Sequence, residues 1–231
     1  MATSGVITLE LEIVEIIDEA FERAGVDVQD LNVGHMRSAR RSINLIFTSW
    51  INRNIRVFSV DNQTHTLAAV GETSFTLEAG TLAVLDVVLT RSGVDTPMAP
   101  LSRSDYHAIS TKTTQGRPDR YWVHRPPSGA VMFFWQAAEN ITDVIDYWRI
   151  RRLDDVTAGA ETPDLPYRWV DALAAELAFR LFMKKRLKDR TPKDYKMLKG
   201  EANEAFNLAS AEDRDRAPTQ ILPASFGMEG L

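Results

Sequence analysis

The first quarter of the chain carries apolar residues at the spacing of an α-helix. They recur every three or four positions over residues 9–21, and Gly25 follows where the pattern stops. Thr8 is placed to cap this helix, with acidic residues in the turn after it. The same spacing predicts a second helix over residues 32–52. The short link between them, residues 26–31, predicts that the two helices are antiparallel neighbours.

From Ile55 the pattern changes to the alternation of apolar and polar positions that is typical of β-strands. Turn-forming residues occupy positions 61–63 and 126–129, and a polar stretch with glycine and proline covers positions 93–100. We predict strands over residues 55–60, 64–70, 75–77, 82–89, 120–124, 131–135 and 144–151. Strands at these intervals predict an antiparallel sandwich or barrel, with a core that should include the aromatic residues Trp122, Trp135, Tyr147 and Trp148.

The helical spacing returns near residue 163. Asp164 is a candidate N-cap, Pro166 suits the first turn, and apolar residues then repeat every four positions to Leu181. A further helix should begin after Thr191, with Asp194 in the capping-box position. A basic run lies between these helices, where the carboxyl end of the first helix favours cations. It forms a possible helix-end basic patch of Lys184, Lys185, Arg186 and Lys188.

The last segment, residues 210–231, joins a charged start to apolar residues that proline and glycine separate. Ordering it costs about 1 kcal/mol or more per residue in backbone entropy. Burial returns roughly 1.5–3 kcal/mol for each large apolar side chain, which is not enough for the segment alone. We therefore expect an arm that becomes ordered only against a partner. The residues expected to make this contact are Ile221, Leu222, Phe226, Met228 and Leu231.

This order of elements predicts an α+β fold. Helices from both ends of the chain should pack into one bundle, with the antiparallel β-sandwich or barrel inserted between them and an extended arm at the C-terminus. We expect the helical bundle to comprise residues 1–53 and 159–209, the β domain residues 54–158, and the arm residues 210–231.

Composition narrows the classes of function. The chain has 231 residues, with a hydrophobic share of 44% and a charged share of 26%, as in ordinary globular proteins. It contains no cysteine, which excludes disulfides and thiolate sites. We expect no membrane span and no secretory signal, because apolar runs are short and the start of the chain is not basic. A net charge of -5 argues against tight binding of nucleic acid.

Candidates for chemistry are few. The adjacent acids Asp154 and Asp155 are better explained as a solvated turn than as a catalytic pair. No nucleophile elbow or phosphate-binding glycine motif occurs. The four histidines lack the spacing of metal ligands; they are His35, His65, His107 and His124. We therefore expect no catalytic site, no metal and no cofactor.

Several short motifs follow one another in a defined order. A Gly-x-x-x-aromatic-x-Leu segment precedes an Asp-Tyr loop, and then come a lysine, a glycine, a proline and an aromatic strand. These residues are Gly71, Phe75, Leu77, Asp105, Tyr106, Lys112, Gly116, Pro118, Tyr121 and Trp122. Together with the early helix pair and the alanine-rich helix after Pro166, this order resembles the head-to-tail adaptor (connector) proteins of tailed phages. Residues 136–139 depart from that family, in which prolines are common at this place.

The resemblance implies a structural virion protein rather than an enzyme. Subunits would assemble into a ring, expected to be dodecameric, that docks under the portal protein and extends the DNA channel. The arm would contact the portal protein or a neighbouring copy, and the β domain would receive a distal tail, stopper or nozzle protein. DNA would pass through the lumen without sequence-specific binding. The implied location is the head-tail junction of the virion, after assembly in the host cytoplasm and without membrane contact.

Three other classes stay open. A tail terminator or another ring-forming tail protein would also form a ring, but it would be mainly β with one helix. A nucleic-acid-binding module would need a basic face. A small-molecule enzyme would need a convergent set of polar groups, which the sequence does not suggest.

Overall fold

The computed structural model describes residues 11–53, 59–184 and 191–212. Their helices are α1 (Ile13–Arg23), α2 (Val33–Asn52), α3 (Arg103–Ala108), α4 (Val170–Phe182) and α5 (Pro192–Glu212). Their strands are β1 (Val60–Thr66), β2 (Ser74–Thr76), β3 (Thr81–Arg91), β4 (Val94–Pro97), β5 (Ala99–Pro100), β6 (Gln115–Gly116), β7 (Arg120–His124), β8 (Val131–Trp135), β9 (Ala137–Ala138) and β10 (Val144–Arg151). Helices together with mainly antiparallel sheets confirm the predicted α+β class.

Two glutamates determine where α1 begins. The backbone of Glu12 is extended, and its N–H donates to Glu15 Oε2 at 2.9 Å as part of a capping box. The Thr8 cap predicted for this helix is therefore wrong, because the helix starts only after Glu12. From there the buried positions keep the predicted spacing: Ile13, Ile16, Ile17, Ala20 and Phe21.

The second helix, α2, has the predicted bounds because Asn32 caps it. The His35 N–H donates to Asn32 Oδ1 at 3.0 Å. Both helices pack mainly on α4. They also meet where the Phe21 ring lies 5.9 Å from the His35 ring, and their antiparallel pairing stays a prediction. Most residues of α4 are buried, so this helix offers an apolar surface to several neighbours at once.

Two tryptophans lie at the centre of the helical core. Trp50 of α2 and Trp169 before α4 are fully buried, with ring centroids 5.0 Å apart, and Phe206 of α5 packs on both. α5 begins as predicted, because the Asp194 N–H donates to Thr191 Oγ1 at 3.1 Å. Helices from the two ends of the chain thus share one apolar core.

The start of α4 differs from the prediction. A 3-10 turn, Tyr167–Trp169, precedes it, and the α-helix itself begins at Val170. Asp164 does not cap it. Its Oδ1 instead accepts a hydrogen bond of 2.8 Å from Nη2 of Arg151 at the end of β10. A guanidinium offers this carboxylate a stronger bond than a backbone N–H would, so Asp164 joins the β region to the helices.

Two four-stranded sheets face each other across a second apolar core. The first has the strand order β1-β10-β3-β4 and the second β2-β8-β7-β5, and a short parallel pair joins β6 to β9. The strands predicted over 120–124, 131–135 and 144–151 are confirmed as β7, β8 and β10. The strand predicted over 55–60 lies mostly outside the described residues. The core between the sheets makes this region a sandwich and includes Leu89, Ile145, Met132 and Phe134.

Two stretches predicted as turn and loop are strands. β1 runs through residues 61–63, because Arg149 on the neighbouring β10 holds Asp61 with an Nε–Oδ1 distance of 2.6 Å. Residues 93–100 contain β4 and β5, which pair with β3 and β7. Gly93, at a φ of 77°, helps to make the tight turn between β3 and β4.

The chain that leaves β10 is fastened to the first two helices. The Ile13 N–H donates to the carbonyl of Glu161 at 2.8 Å, and the Val156 N–H donates to Asn44 Oδ1 at 2.9 Å. The side chains of Leu153 and Val156 are part of the helical core. This connection is therefore an ordered element that positions the sandwich beside the helices.

Candidate functional site

The Asp-Tyr motif folds α3 onto the outer face of the second sheet. Ser102 caps α3, since the Asp105 N–H donates to Ser102 Oγ at 3.1 Å. Tyr106 is buried against Trp122, with ring centroids 5.4 Å apart, and burial raises the pKa of its phenol. Lys112 Nζ lies 5.5 Å from the Tyr106 ring centroid and donates to a backbone carbonyl at 2.8 Å. The motif therefore anchors α3 on the second sheet.

The glycine of the same motif series sits at a close approach of two chain segments. A Cβ added to Gly116 would lie 1.9 Å from Gln136 Oε1. Gly116 on β6 pairs with Ala138 on β9, so residues 136–139 contain a strand. This stretch therefore has a structural role of its own.

The histidines take part in packing and capping. The His65 ring stacks on Phe75 with centroids 3.8 Å apart, and its Nε2 lies 2.8 Å from Glu72 Oε1. The others cap α2 or lie beside the Trp122 ring, and they are His35, His107 and His124. Over the described ranges, no group of three His, Asp or Glu side chains is placed to hold a metal ion.

The acidic pair Asp154-Asp155 has the surroundings of a solvated turn. The Asp154 side chain is 89% exposed and lies 4.0 Å from the nearest Arg151 nitrogen. Asp155 pairs with Arg152, which is itself half-exposed. Each carboxylate is exposed to solvent and lies beside an arginine, as expected of a surface turn.

Two partly buried ion pairs that involve arginines of β10 have structural roles. Arg149 holds Asp61 through two hydrogen bonds, of 2.6 Å and 3.0 Å, and these bonds lower the pKa of the carboxyl. The hydrogen bond from Arg151 lowers the pKa of Asp164 in the same way. The Arg149–Asp61 pair joins β10 to β1 within the first sheet. The Arg151–Asp164 pair joins β10 to the segment before α4 and so stabilises the junction with the helices.

Exposed apolar side chains mark the outer face of the first sheet. Of the four aromatic residues predicted for the sandwich core, Tyr147 alone lies there, whereas Trp148 is 46% exposed. Adjacent residues of a strand point to opposite faces, which explains the difference. Leu82 and Leu85 of β3 are exposed as well. Trp122 and Trp135, which were also predicted for the core, lie outside it. Trp122 packs against α3, and Trp135 lies beside Arg120.

The outward face of α2 carries arginines. α2 contains no Asp or Glu, and an open depression beside it is lined by Arg37, Arg40, Arg41, Asn44, Val156 and Thr157. Arg40 donates to the carbonyl of Thr157. Helical spacing puts these arginines away from the buried side of α2, but it does not reveal that they surround one depression, because residues 156–157 reach it from far along the chain.

The predicted helix-end patch is described only at its first member. Lys184 Nζ donates to Ser42 Oγ at 2.6 Å and to Ser38 Oγ at 2.8 Å, which ties it to the side of α2. Burial, together with the positive charges of Arg41 and Arg180, lowers the pKa of Lys184. The other three members, Lys185, Arg186 and Lys188, lie outside the described residues, as do the predicted arm contacts Ile221, Leu222, Phe226, Met228 and Leu231.

A family model described as SU10 adaptor protein, a phage head-tail adaptor family, matches residues 13–223. No curated protein matches the chain. In the part of the chain that the structure describes, no helix has the length and apolar character to cross a bilayer.

Proposed function

The chain belongs to the SU10 adaptor protein family, and from this premise we propose that it is a structural virion protein at the head-tail junction of a tailed phage. The observation that carries the proposal is a family match over residues 13–223, which includes both apolar cores. In this role the subunits form a dodecameric ring that docks under the portal protein, extends the DNA channel and attaches the tail.

The helical bundle and the β domain have different roles, and each is built around its own apolar core. Residues 1–53 and 159–209 act as the helical bundle, and residues 54–158 act as the β domain. The separation of the two clusters of buried apolar residues supports this division. The β domain receives the distal tail, stopper or nozzle protein, and the exposed Trp148 and Leu85 supply apolar area for that contact.

The arm, residues 210–231, fastens each subunit to the portal protein or to a neighbouring copy. It carries five large apolar residues between prolines and glycines: Ile221, Leu222, Phe226, Met228 and Leu231. Their burial against a partner offsets the entropy lost when the arm becomes ordered. Repetition around a ring raises the effective concentration of each arm at its site.

The protein acts as a structural element and not as an enzyme, and DNA passes it without sequence-specific contact. The residue types that could perform catalysis have packing roles: His65 stacks on Phe75, and Asp61 and Asp164 hold arginines. Assembly takes place in the host cytoplasm, and the mature location is the virion.

Mixing purified protein with portal-bearing, DNA-filled capsids tests the proposal. Negative-stain images should show a ring at the portal vertex, and the capsids should retain DNA. A chain truncated after Ala217 should stay folded by circular dichroism but fail to join the capsids, which then lose DNA. If wild-type protein does not join portal-bearing capsids, the adaptor role is wrong. If the truncated chain joins them as well as wild type does, the role of the arm is wrong.

A further inference from the structure

The outward face of α2 is a strongly basic surface with an exposed leucine in it. Arg37 and Arg41 are exposed, one helical turn apart, and Leu45 follows on the same face with 60% of its surface exposed. Among the described residues, neither Arg37 nor Arg41 has an ion-pair partner. Lys184, with Nζ bonded to Ser38 and Ser42, adds a positive charge at the flank of this face. We call Arg37, Arg41 and Leu45 the basic face.

The outward face of α1 has the opposite charge. Glu15, Glu19 and Glu22 are exposed on the side of the helix away from its buried residues. The one basic residue of α1, Arg23, is already shared among three carboxylates, with 2.6 Å to Glu19, 2.9 Å to Asp171 of α4 and 3.2 Å to Glu201 of α5. Carboxylates therefore outnumber cations around α1. We call Glu15, Glu19 and Glu22 the acidic face.

We infer that the basic face of one copy of this chain binds the acidic face of α1 in the next copy. The inference rests on the proposed ring and identifies the surfaces by which its copies meet. The two faces are different surfaces of one chain, so a contact between them is head-to-tail and leaves the pair with one free face of each kind. Such a contact repeats from copy to copy and can close into a ring, whereas a symmetric dimer would use the same patch of both copies and stop at two.

The residue types suit a protein partner. Arginine pairs with carboxylates in a fixed two-pronged geometry, and it is enriched in protein interfaces. Leu45 would add apolar area that such a contact removes from water. A DNA backbone would also attract arginines. The net charge of -5, however, opposes the long-range attraction on which non-specific DNA binding depends.

Disulfide cross-linking tests the contact directly, because the chain has no cysteine of its own. In Glu22→Cys/Arg41→Cys, the two thiols of adjacent copies should meet in assembled particles, and mild oxidation should give a ladder of covalent multimers. Each single variant should give no ladder. The matched control is Glu204→Cys/Arg41→Cys, which replaces an exposed acid of α5 instead of α1 and should give none either. A ladder from the control alone, or no ladder from the α1 pair, overturns the inference.

Charge reversal gives a second readout. Glu19→Lys/Glu22→Lys and Arg37→Glu/Arg41→Glu should each raise the protein concentration needed for assembly by roughly tenfold or more, since like charges then meet. The chain carrying all four changes should recover assembly, which also shows that the changes do not unfold it. A gel-shift assay compares wild-type protein with Arg37→Glu/Arg41→Glu for binding of free DNA. If only wild type shifts the DNA, and both charge-reversed chains assemble normally, the basic face binds nucleic acid and the inference is wrong.

The two proposals fail in different ways. Wild-type protein that does not join portal-bearing capsids refutes the adaptor role, and no engineered cysteine is needed to see it. Wild-type protein that joins the capsids, while the Glu22→Cys/Arg41→Cys chain joins them and gives no ladder, refutes this interface alone.

Discussion

Tyr147 and Trp148 are neighbours on β10, yet they contact different surroundings. Tyr147 lies in the sandwich core, where its hydroxyl accepts a hydrogen bond of 3.4 Å from the Glu78 N–H. Trp148 points to the outer face of the first sheet. The sequence identifies an aromatic strand here, but apolar residues stand at both positions. The alternation therefore does not tell which of the two is inside.

Replacing Tyr147 and Trp148 by alanine, one at a time, should distinguish the buried position from the exposed one. Tyr147→Ala removes a buried aromatic side chain and should lower the free energy of unfolding by about 3–5 kcal/mol. Trp148→Ala should lower it by less than about 1 kcal/mol, because little of its contact area is in the core. Urea denaturation followed by circular dichroism measures both values. Equal losses would contradict the opposite orientation of these side chains.

The Arg151–Asp164 pair should contribute to stability in a pH-dependent way. The pKa of Asp164 is lowered in the folded protein, so its contribution is fully present above the ordinary aspartate pKa of about 3.9 and is lost as the pH falls through the lower folded value. Asp164→Asn should cost about 1–3 kcal/mol at pH 7, because Arg151 loses a charged acceptor.

The measurement is the free energy of unfolding in urea at pH 7 and at pH values below 4. The difference between wild type and Asp164→Asn should shrink toward zero at the low pH. A difference of the same size at every pH would show that the asparagine disturbs packing and that the charge of Asp164 is not the cause.

At the scale of elements, the accuracy of the sequence prediction depends on where the deciding contacts lie. β7, β8 and β10 match their predicted bounds, because alternation and the turn at 126–129 are local signals. β1 was predicted as a turn at 61–63, because the partner of Asp61 is Arg149, far away in the chain. The start of α4 was misplaced for the same reason, since Asp164 bonds to Arg151.

The same contrast between local signals and long-range contacts applies to the candidate surfaces. The arginines of α2 and the acids of α1 can be assigned to outward faces from helical spacing alone. Helical spacing does not predict the depression beside α2, because the chain after β10 forms its other wall. The Asp-Tyr motif was recognisable as a family feature, but its role in capping and anchoring α3 required the contact with Trp122.

The short helix α3 should depend on one side chain for its attachment. Tyr106 is buried between the Trp122 and Phe133 rings, at centroid distances of 5.4 Å and 5.6 Å. Tyr106→Ala should lower the free energy of unfolding by about 3 kcal/mol. Tyr106→Phe keeps the ring and should change it by less than about 0.5 kcal/mol. Chemical denaturation of the three proteins decides, and a large loss in the phenylalanine variant would show that the hydroxyl, and not the ring, anchors α3.

At the scale of the whole molecule, the buried apolar residues form two clusters that share no member. Of the five tryptophans, Trp50 and Trp169 lie in the helical core, whereas the other three are on strands of the sandwich but outside its core. Replacing Trp122, Trp135 and Trp148 by phenylalanine therefore gives a protein with fluorescence that reports on the helical core alone.

In that reporter background, the two cores should respond separately to substitution. Leu173→Ala, in α4, should shift the midpoint of the fluorescence transition to lower urea by an amount equivalent to about 2–5 kcal/mol. Met132→Ala removes an equally buried side chain from the sandwich and should leave that midpoint nearly unchanged. Equal shifts from both variants would mean that the two cores unfold as one cooperative unit, against the proposed division.

The pairing of β1 with β10 determines how the molecule would carry mechanical load. Val60, where the chain enters the sandwich, lies opposite Ile150, next to the point where the chain leaves it. Both connections to the helices therefore leave from the same end of the first sheet. Tension between the helices and the far end of the sandwich would run along β1 and β10 together. Interstrand hydrogen bonds are perpendicular to the strands, so this pull loads the whole β10–β3 ladder, from Val144 to Arg151, in shear. Many bonds then resist at once, which suits the proposed role of a joint between a filled capsid and a tail.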